Sequence, residues 1–196
     1  MIVRRRFEYM TVCGIDEVGR GPLAGPVTAA AVVLDDGFDT EILDDSKAMS
    51  PGNREQVFRI IAETKLPYGV GWVWPEEIDR INIHRATLLA MKRAYAELVS
   101  NDGLLIDLAL VDGKFAPELG INTRAVVGGD HIHREIMAAS IIAKVLRDRW
   151  MIRYSWIEPG YGYDRHKGYP TKYHRARCIE LGNSPIQRRS FRIRSD

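Results

Sequence analysis

Four acidic residues stand at points where the chain is expected to leave regular structure: Asp16, Glu17, Asp112 and Asp130. Asp16-Glu17 closes the run Thr11–Asp16 and is followed at once by Gly19-Arg20-Gly21. Asp112 follows the apolar run Leu104–Val111 and precedes Gly113, and Asp130 follows Gly128-Gly129. Carboxylates without His or Cys partners suit hard, oxygen-seeking cations, Mg²⁺ or Mn²⁺. Two such ions about 4 Å apart can activate a water and stabilise the leaving oxygen of a phosphodiester. Each acid also has an ordinary reading: Asp112-Gly113 as a turn, Asp130 as a helix cap, Asp16-Glu17 as surface charge. Neighbours in a strand point to opposite faces, so Asp16 and Glu17 share a site only if the chain turns, which the glycines after them permit.

The elements that would carry these acids follow from pattern. Thr11–Asp16 and the continuous apolar run Val27–Leu34 are strands, and Tyr68–Trp74 alternates with period two. Leu104–Val111 reads as a buried strand and Arg124–Val127 as a short one. Ser50-Pro51 is a helix start, with the helix reaching about Glu63 and burying Val57, Ile60 and Ile61. Helices follow at Pro75–Arg80 and Ile83–Leu98, then from about His131 to Met151, and finally from the cap Thr171 to Gly182. This order predicts an α/β fold, a mixed β-sheet flanked by helices. Residues 1–154 would form the catalytic domain and 155–196 a small C-terminal helical segment that binds substrate. Sheet strand ends are where distant carboxylates converge.

Charge is divided along the chain. Residues 144–196 carry 13 Lys and Arg against 5 Asp and Glu, whereas residues 1–143 carry 15 against 21, within a net charge of +2. An acidic front and a basic tail suit a protein that holds cations with one region and phosphates with the other. Two cysteines, Cys13 and Cys178, are too few for a disulfide framework or a cysteine zinc site. No apolar run has the length of a membrane span, and Met1–Glu8 lacks the apolar core of a secretory signal, so a cytoplasmic location is expected.

The segment GIDEVGRGPLAGPV at 14–27 resembles the N-terminal signature of the ribonuclease HII family, the type 2 ribonucleases H. The resemblance continues through Asp45-Ser46-Lys47, Val111-Asp112-Gly113, Gly129-Asp130, AASIIAKVLRDR at 138–149, HKGYPT at 166–171 and SPIQRRSF at 184–191. It implies a ribonuclease H-like sheet. It also implies that Asp16, Glu17, Asp112 and Asp130 are the catalytic acids and hold the metals. Gly19, Arg20 and Gly21 would read the ribose 2′-OH, largely through backbone groups, and that hydroxyl is what separates RNA from DNA at a given position. Tyr169 would pack on the sugar that follows the ribonucleotide. Lys47, Lys144 and Arg147 would contact phosphates. The implied substrates are RNA–DNA hybrids and DNA duplexes containing ribonucleotides, cut 5′ of the ribonucleotide to leave 3′-OH and 5′-phosphate ends, with the enzyme acting as a monomer.

The chain departs from the pattern around Asp130, where Gly128 replaces the usual lysine and His131, Ile132, His133 and Arg134 replace small residues. Met137 stands where an alanine is usual. Two other functions remain open: a DNA-cutting nuclease on the same fold, and a non-catalytic hybrid-binding module. A 2′-OH sensor speaks against the first and four intact acids against the second.

Overall fold

The computed structural model describes residues 10–43 and 49–193, apart from the side chain of Asp102. Five strands, β1 (Val12–Val18), β2 (Val27–Val33), β3 (Tyr68–Val73), β4 (Leu108–Asp112) and β5 (Asn122–Val126), form one sheet in the order β3-β2-β1-β4-β5. β1 pairs antiparallel with β2, and β2 with β3, while β1–β4 and β4–β5 are parallel. Among the described residues six α-helices accompany it: α1 (Pro51–Glu63), α2 (Pro75–Ile81), α3 (Ile83–Asp102), α4 (Arg134–Tyr154), the single turn α5 (Tyr163–His166) and α6 (Lys172–Leu181). The expected mixed sheet flanked by helices is therefore present.

β2 is buried at every position because it lies inside the sheet and is covered on both faces. Cys13, Ile15, Val27, Ala29 and Ala31 pack with Ala90, Ala94 and Leu98 of α3 on one face. Ala30 and Val32 pack with Phe58 and Ile61 of α1 and with Ile141, Ile142 and Val145 of α4 on the other. The helices approach closely because the sheet is trimmed where they cross. A Cβ on Gly71 would collide with the Ala90 carbonyl of α3, and one on Gly14 with the Glu135–Ile136 backbone of α4. Ser50 Oγ accepts Asn53 N–H at 3.2 Å and Thr171 Oγ1 accepts His174 N–H at 3.1 Å, so both predicted caps form.

Several boundaries differ from the sequence reading. β1 runs to Val18, so Asp16 and Glu17 lie within it, still in register with Ala30 and Ala29 of β2. β4 starts at Leu108 rather than Leu104, and Leu105 is exposed. The buried face of α1 is Val57, Phe58 and Ile61, with Ile60 only partly covered. α4 starts at Arg134 because a 3-10 turn at Gly129–His131 precedes it and His133 is extended.

Beyond α4 a third apolar cluster forms from Tyr161, Tyr163, Cys178 and Ile186 together with Ala24 and Met151. Two of its six members precede residue 155, so this segment buries its apolar groups against the loop after β1 and the end of α4. A run of ring contacts, Trp72–Trp74–Trp150–Tyr154–Tyr163–Tyr161, extends the seam, with centroids 5.1–6.0 Å apart. Among the described residues, no helix is long and apolar enough to cross a membrane.

Candidate active site

The parallel pair β1–β4 sets the geometry. Its last rung is Ile15–Val111, and the next residue on each strand is an aspartate, Asp16 and Asp112. By strand alternation both follow residues of the α3-facing set, so both turn toward α4. Glu17 has the opposite parity. It reaches the same place because β1 continues past its last rung with β4, leaving a long side chain room to swing across. Carboxylate oxygens of Asp16, Glu17 and Asp112 all lie within 4.8 Å of one another. The glycine break, on which the sequence reading relied, is not what unites the pair.

Burial and mutual repulsion leave this group short of positive charge. Burial first, then the neighbouring Glu17, raise the Asp16 carboxyl well above its ordinary range, against a hydrogen bond from Ser140. Glu17 is raised by burial too, opposed by Arg20, whose Nη1 sits 3.1 Å from Oε1. The other Glu17 oxygen, Oε2, is buried with no hydrogen-bond partner among the described residues. A buried, clustered set of carboxylate oxygens is the donor set of a hard divalent cation, so the residues fit such an ion.

A cleft of about 470 Å³ opens over the acids. Gly19, Arg20 and Gly21 form one wall, Tyr169 another, and Ser140 and Lys144 of α4 line it with Arg54 of α1. The Tyr169 ring is 37% exposed and has Lys144 Nζ 5.7 Å from its centroid. Lys144 also pairs with Asp148 at 2.8 Å. A smaller hollow of about 150 Å³ adjoins it, sharing Arg54 and Lys144 and adding Arg149 and Lys167.

Two predicted residues stand elsewhere. Asp130 is 2% exposed in the 3-10 turn, outside the group of three acids; its backbone N–H lies 3.4 Å from Asp112 Oδ1, and His131 Nε2 lies 3.8 Å from its own carboxylate. Arg147 is fully buried, and its guanidinium donates to the carbonyls of Pro26 (2.8 Å), Lys167 (3.0 Å) and Ala24 (3.3 Å). Its reading as a phosphate contact is corrected: the donors are consumed inside the fold. Lys47 lies outside the described residues.

Comparison with known proteins decides the family. The family model described as Ribonuclease HII matches residues 13–194. This chain belongs to the ribonuclease HII family. A ribonuclease HII from Treponema denticola is 50% identical over 94% of the chain and 99% of its own length, and one from Geobacter sulfurreducens is 48% identical over 94% and 83%. Among solved structures, the PCNA:RNase HII complex from Archaeoglobus fulgidus aligns at TM-score 0.76 with 28% identity, covering 95% of this chain and 98% of that one. A Bst-RNase HIII in complex with Mn²⁺ aligns at TM-score 0.73 with 20% identity, over 94% of this chain and 68% of that one, and shares the fold alone.

Ser140 and Arg188 were missed by the sequence reading. Ser140 had a signal: it stands four residues before Lys144 and seven before Arg147, one helix face. Arg188 stands in the family segment SPIQRRSF, but its partners lie more than 160 residues away, so its hold on the loop was not readable.

Proposed function

We propose that the cleft is the hydrolytic centre of an endoribonuclease that cuts the RNA strand of RNA–DNA hybrids and cuts 5′ of ribonucleotides embedded in duplex DNA. The observation that carries this reading is the placement of three converging carboxylates beside a glycine loop and an aromatic ring in one cleft. Asp16, Glu17 and Asp112 would hold Mg²⁺ or Mn²⁺, with Asp130 supporting Asp112 through its backbone or closing a second site by a shift of the 3-10 turn. Held there, divalent cations would supply the charge that polarises the scissile phosphate and lowers the pKa of the attacking water.

The chain's own groups bind and orient. Gly19-Arg20-Gly21 present backbone to the ribose, and the missing side chain at Gly21 leaves the gap that faces Tyr169, where an added Cβ would stand 3.9 Å from the ring. Tyr169 offers a flat face to the following deoxyribose. Lys144 faces the same cleft as a phosphate contact, and Arg149 and Lys167 continue the basic path in the adjoining hollow. The water oxygen bonds to phosphorus as the bond to the upstream 3′-oxygen breaks, leaving a 3′-OH and a 5′-phosphate. We further take residues 155–196 as the substrate-binding segment, and the enzyme as a monomer acting in the cytoplasm.

Cleavage of a duplex with one embedded ribonucleotide, with Mg²⁺, with Mn²⁺ and with chelator, tests the reading. Metal-dependent cutting at the 5′ side of the ribonucleotide is expected, with an all-DNA control left whole. Equal cutting of the control would make the protein a DNA nuclease, and binding without cutting under any divalent metal would make it a binding module.

A further inference from the structure

Arg188 is 0% exposed, and its guanidinium grips main-chain oxygens of a single loop. Nε donates to the Gly25 carbonyl at 2.9 Å, Nη1 to those of Arg20 (3.1 Å) and Pro22 (2.9 Å), and Nη2 to that of Gly19 (2.6 Å). The neighbouring main chain locks on as well: Arg188 N–H donates to Leu23 O at 2.8 Å, and Gly25 N–H to Ile186 O at 2.9 Å. From outside, Asp79 accepts the N–H groups of Arg189 (2.8 Å) and Ser190 (2.9 Å), which fixes the segment carrying Arg188.

This arrangement has a directional consequence. No peptide bond among the described residues is cis, and in a trans peptide the C=O and the following N–H point opposite ways. With the carbonyls of Gly19 and Arg20 turned onto Arg188, the amides of Arg20 and Gly21 turn away from it, to the side on which residues 19–21 wall the acidic cleft. A buried arginine is suited to this task because its planar fork presents five donors in fixed directions, where a lysine has a single ammonium.

We propose that Arg188 is a positioning residue for ribose recognition: by holding the carbonyls of Gly19 and Arg20, it aims the next two amides at the sugar of the ribonucleotide. The proposal rests on the reading of this cleft as a ribonucleotide-cutting site. Arg188 touches no substrate, so its loss acts on discrimination between ribose and deoxyribose rather than on cation binding.

The test uses the whole chain carrying Arg188→Lys. KM and kcat are measured on a duplex with one embedded ribonucleotide, and the inhibition constant on the same duplex made wholly of DNA. Mn²⁺ affinity is measured by calorimetry. The ratio of the DNA inhibition constant to KM should fall about tenfold or more, chiefly through a rise in KM, while Mn²⁺ affinity stays within about twofold, as the forked recognition is lost and the acids are untouched. A folded variant with an unchanged ratio overturns the proposal and leaves Arg188 as packing alone. If Arg188→Lys does not fold, Asp79→Ala decides: releasing the outer anchor should lower the ratio about threefold, a fraction of the direct effect, and an unchanged ratio overturns the proposal. A wild-type chain that shows no preference for the ribonucleotide duplex would instead defeat the functional reading itself.

Discussion

Asp16-Glu17 and the loop Gly19–Pro26 are neighbours in the chain, yet the two are held in opposite ways. The acids sit on a sheet ladder, buried together, with their charge poorly compensated and Glu17 Oε2 without a hydrogen-bond partner among the described residues. The loop is saturated: Arg147 and Arg188 between them engage the carbonyls of Gly19, Arg20, Pro22, Ala24, Gly25 and Pro26. The acidic half thus has most to gain from a bound cation, while the loop half is already held by the protein's own side chains. A loop ordered in advance loses little entropy on meeting substrate, and a cluster of like charges gains most from a cation.

The largest expected effect breaks the acidic half alone. Asp112→Asn should lower cleavage on the order of 10³-fold, the scale of losing one electrostatic stabiliser of a transition state, with duplex affinity nearly unchanged in a binding titration. Full activity in that variant would place the chemistry elsewhere. Gly14→Ala strikes the support beneath Asp16, since its Cβ would meet the α4 backbone. A loss of about 3 kcal/mol is expected from such overpacking, read from the urea midpoint, and an unshifted midpoint would contradict the close seating of α4 on β1.

Mn²⁺ at a hundredfold excess over its dissociation constant should stabilise the chain by about 2.7 kcal/mol, a rise of roughly 5–10 °C in Tm for a domain of this size. Asp112→Asn should blunt that rise and Arg188→Lys should not; equal responses would erase the contrast between the two halves. The smallest effect belongs to the recognition side. His174 Nδ1–H donates to Tyr169 O (3.0 Å), its ring stacks on His166 at 4.3 Å, and its pKa is pushed down to about 4 chiefly by burial. The unfolded chain takes up this proton near pH 6.5 and the folded chain only near 4, so the stability is present above pH 6.5 and lost as pH falls toward 4. About 2 kcal/mol of acid-sensitive stability is expected from this residue; His174→Gln should flatten that part of the pH curve, and an unchanged slope would assign it to other groups.

Much of this was readable in order along the chain. Val27–Val33 and Tyr68–Val73 follow from their apolar pattern, and the caps Ser50 and Thr171 are local chemistry. The family signature named the acids and the glycine loop because short motifs keep their spacing. The register Ile15–Val111, which sets Asp16 beside Asp112, was not readable, since strand pairing depends on contacts nearly a hundred residues apart. Nor was the sharing of a site by Glu17, which alternation forbids inside a strand and which the early end of β4 allows. Arg147 and Arg188 show the limit most plainly. The family resemblance gave Arg147 a phosphate to contact and gave Arg188 no role, because sequence carries a side chain's charge and not its surroundings. Only the tertiary structure decided that both are buried: the chain brings the carbonyls of 19–26 to them, and a guanidinium whose donors are satisfied by backbone can leave water without a carboxylate partner.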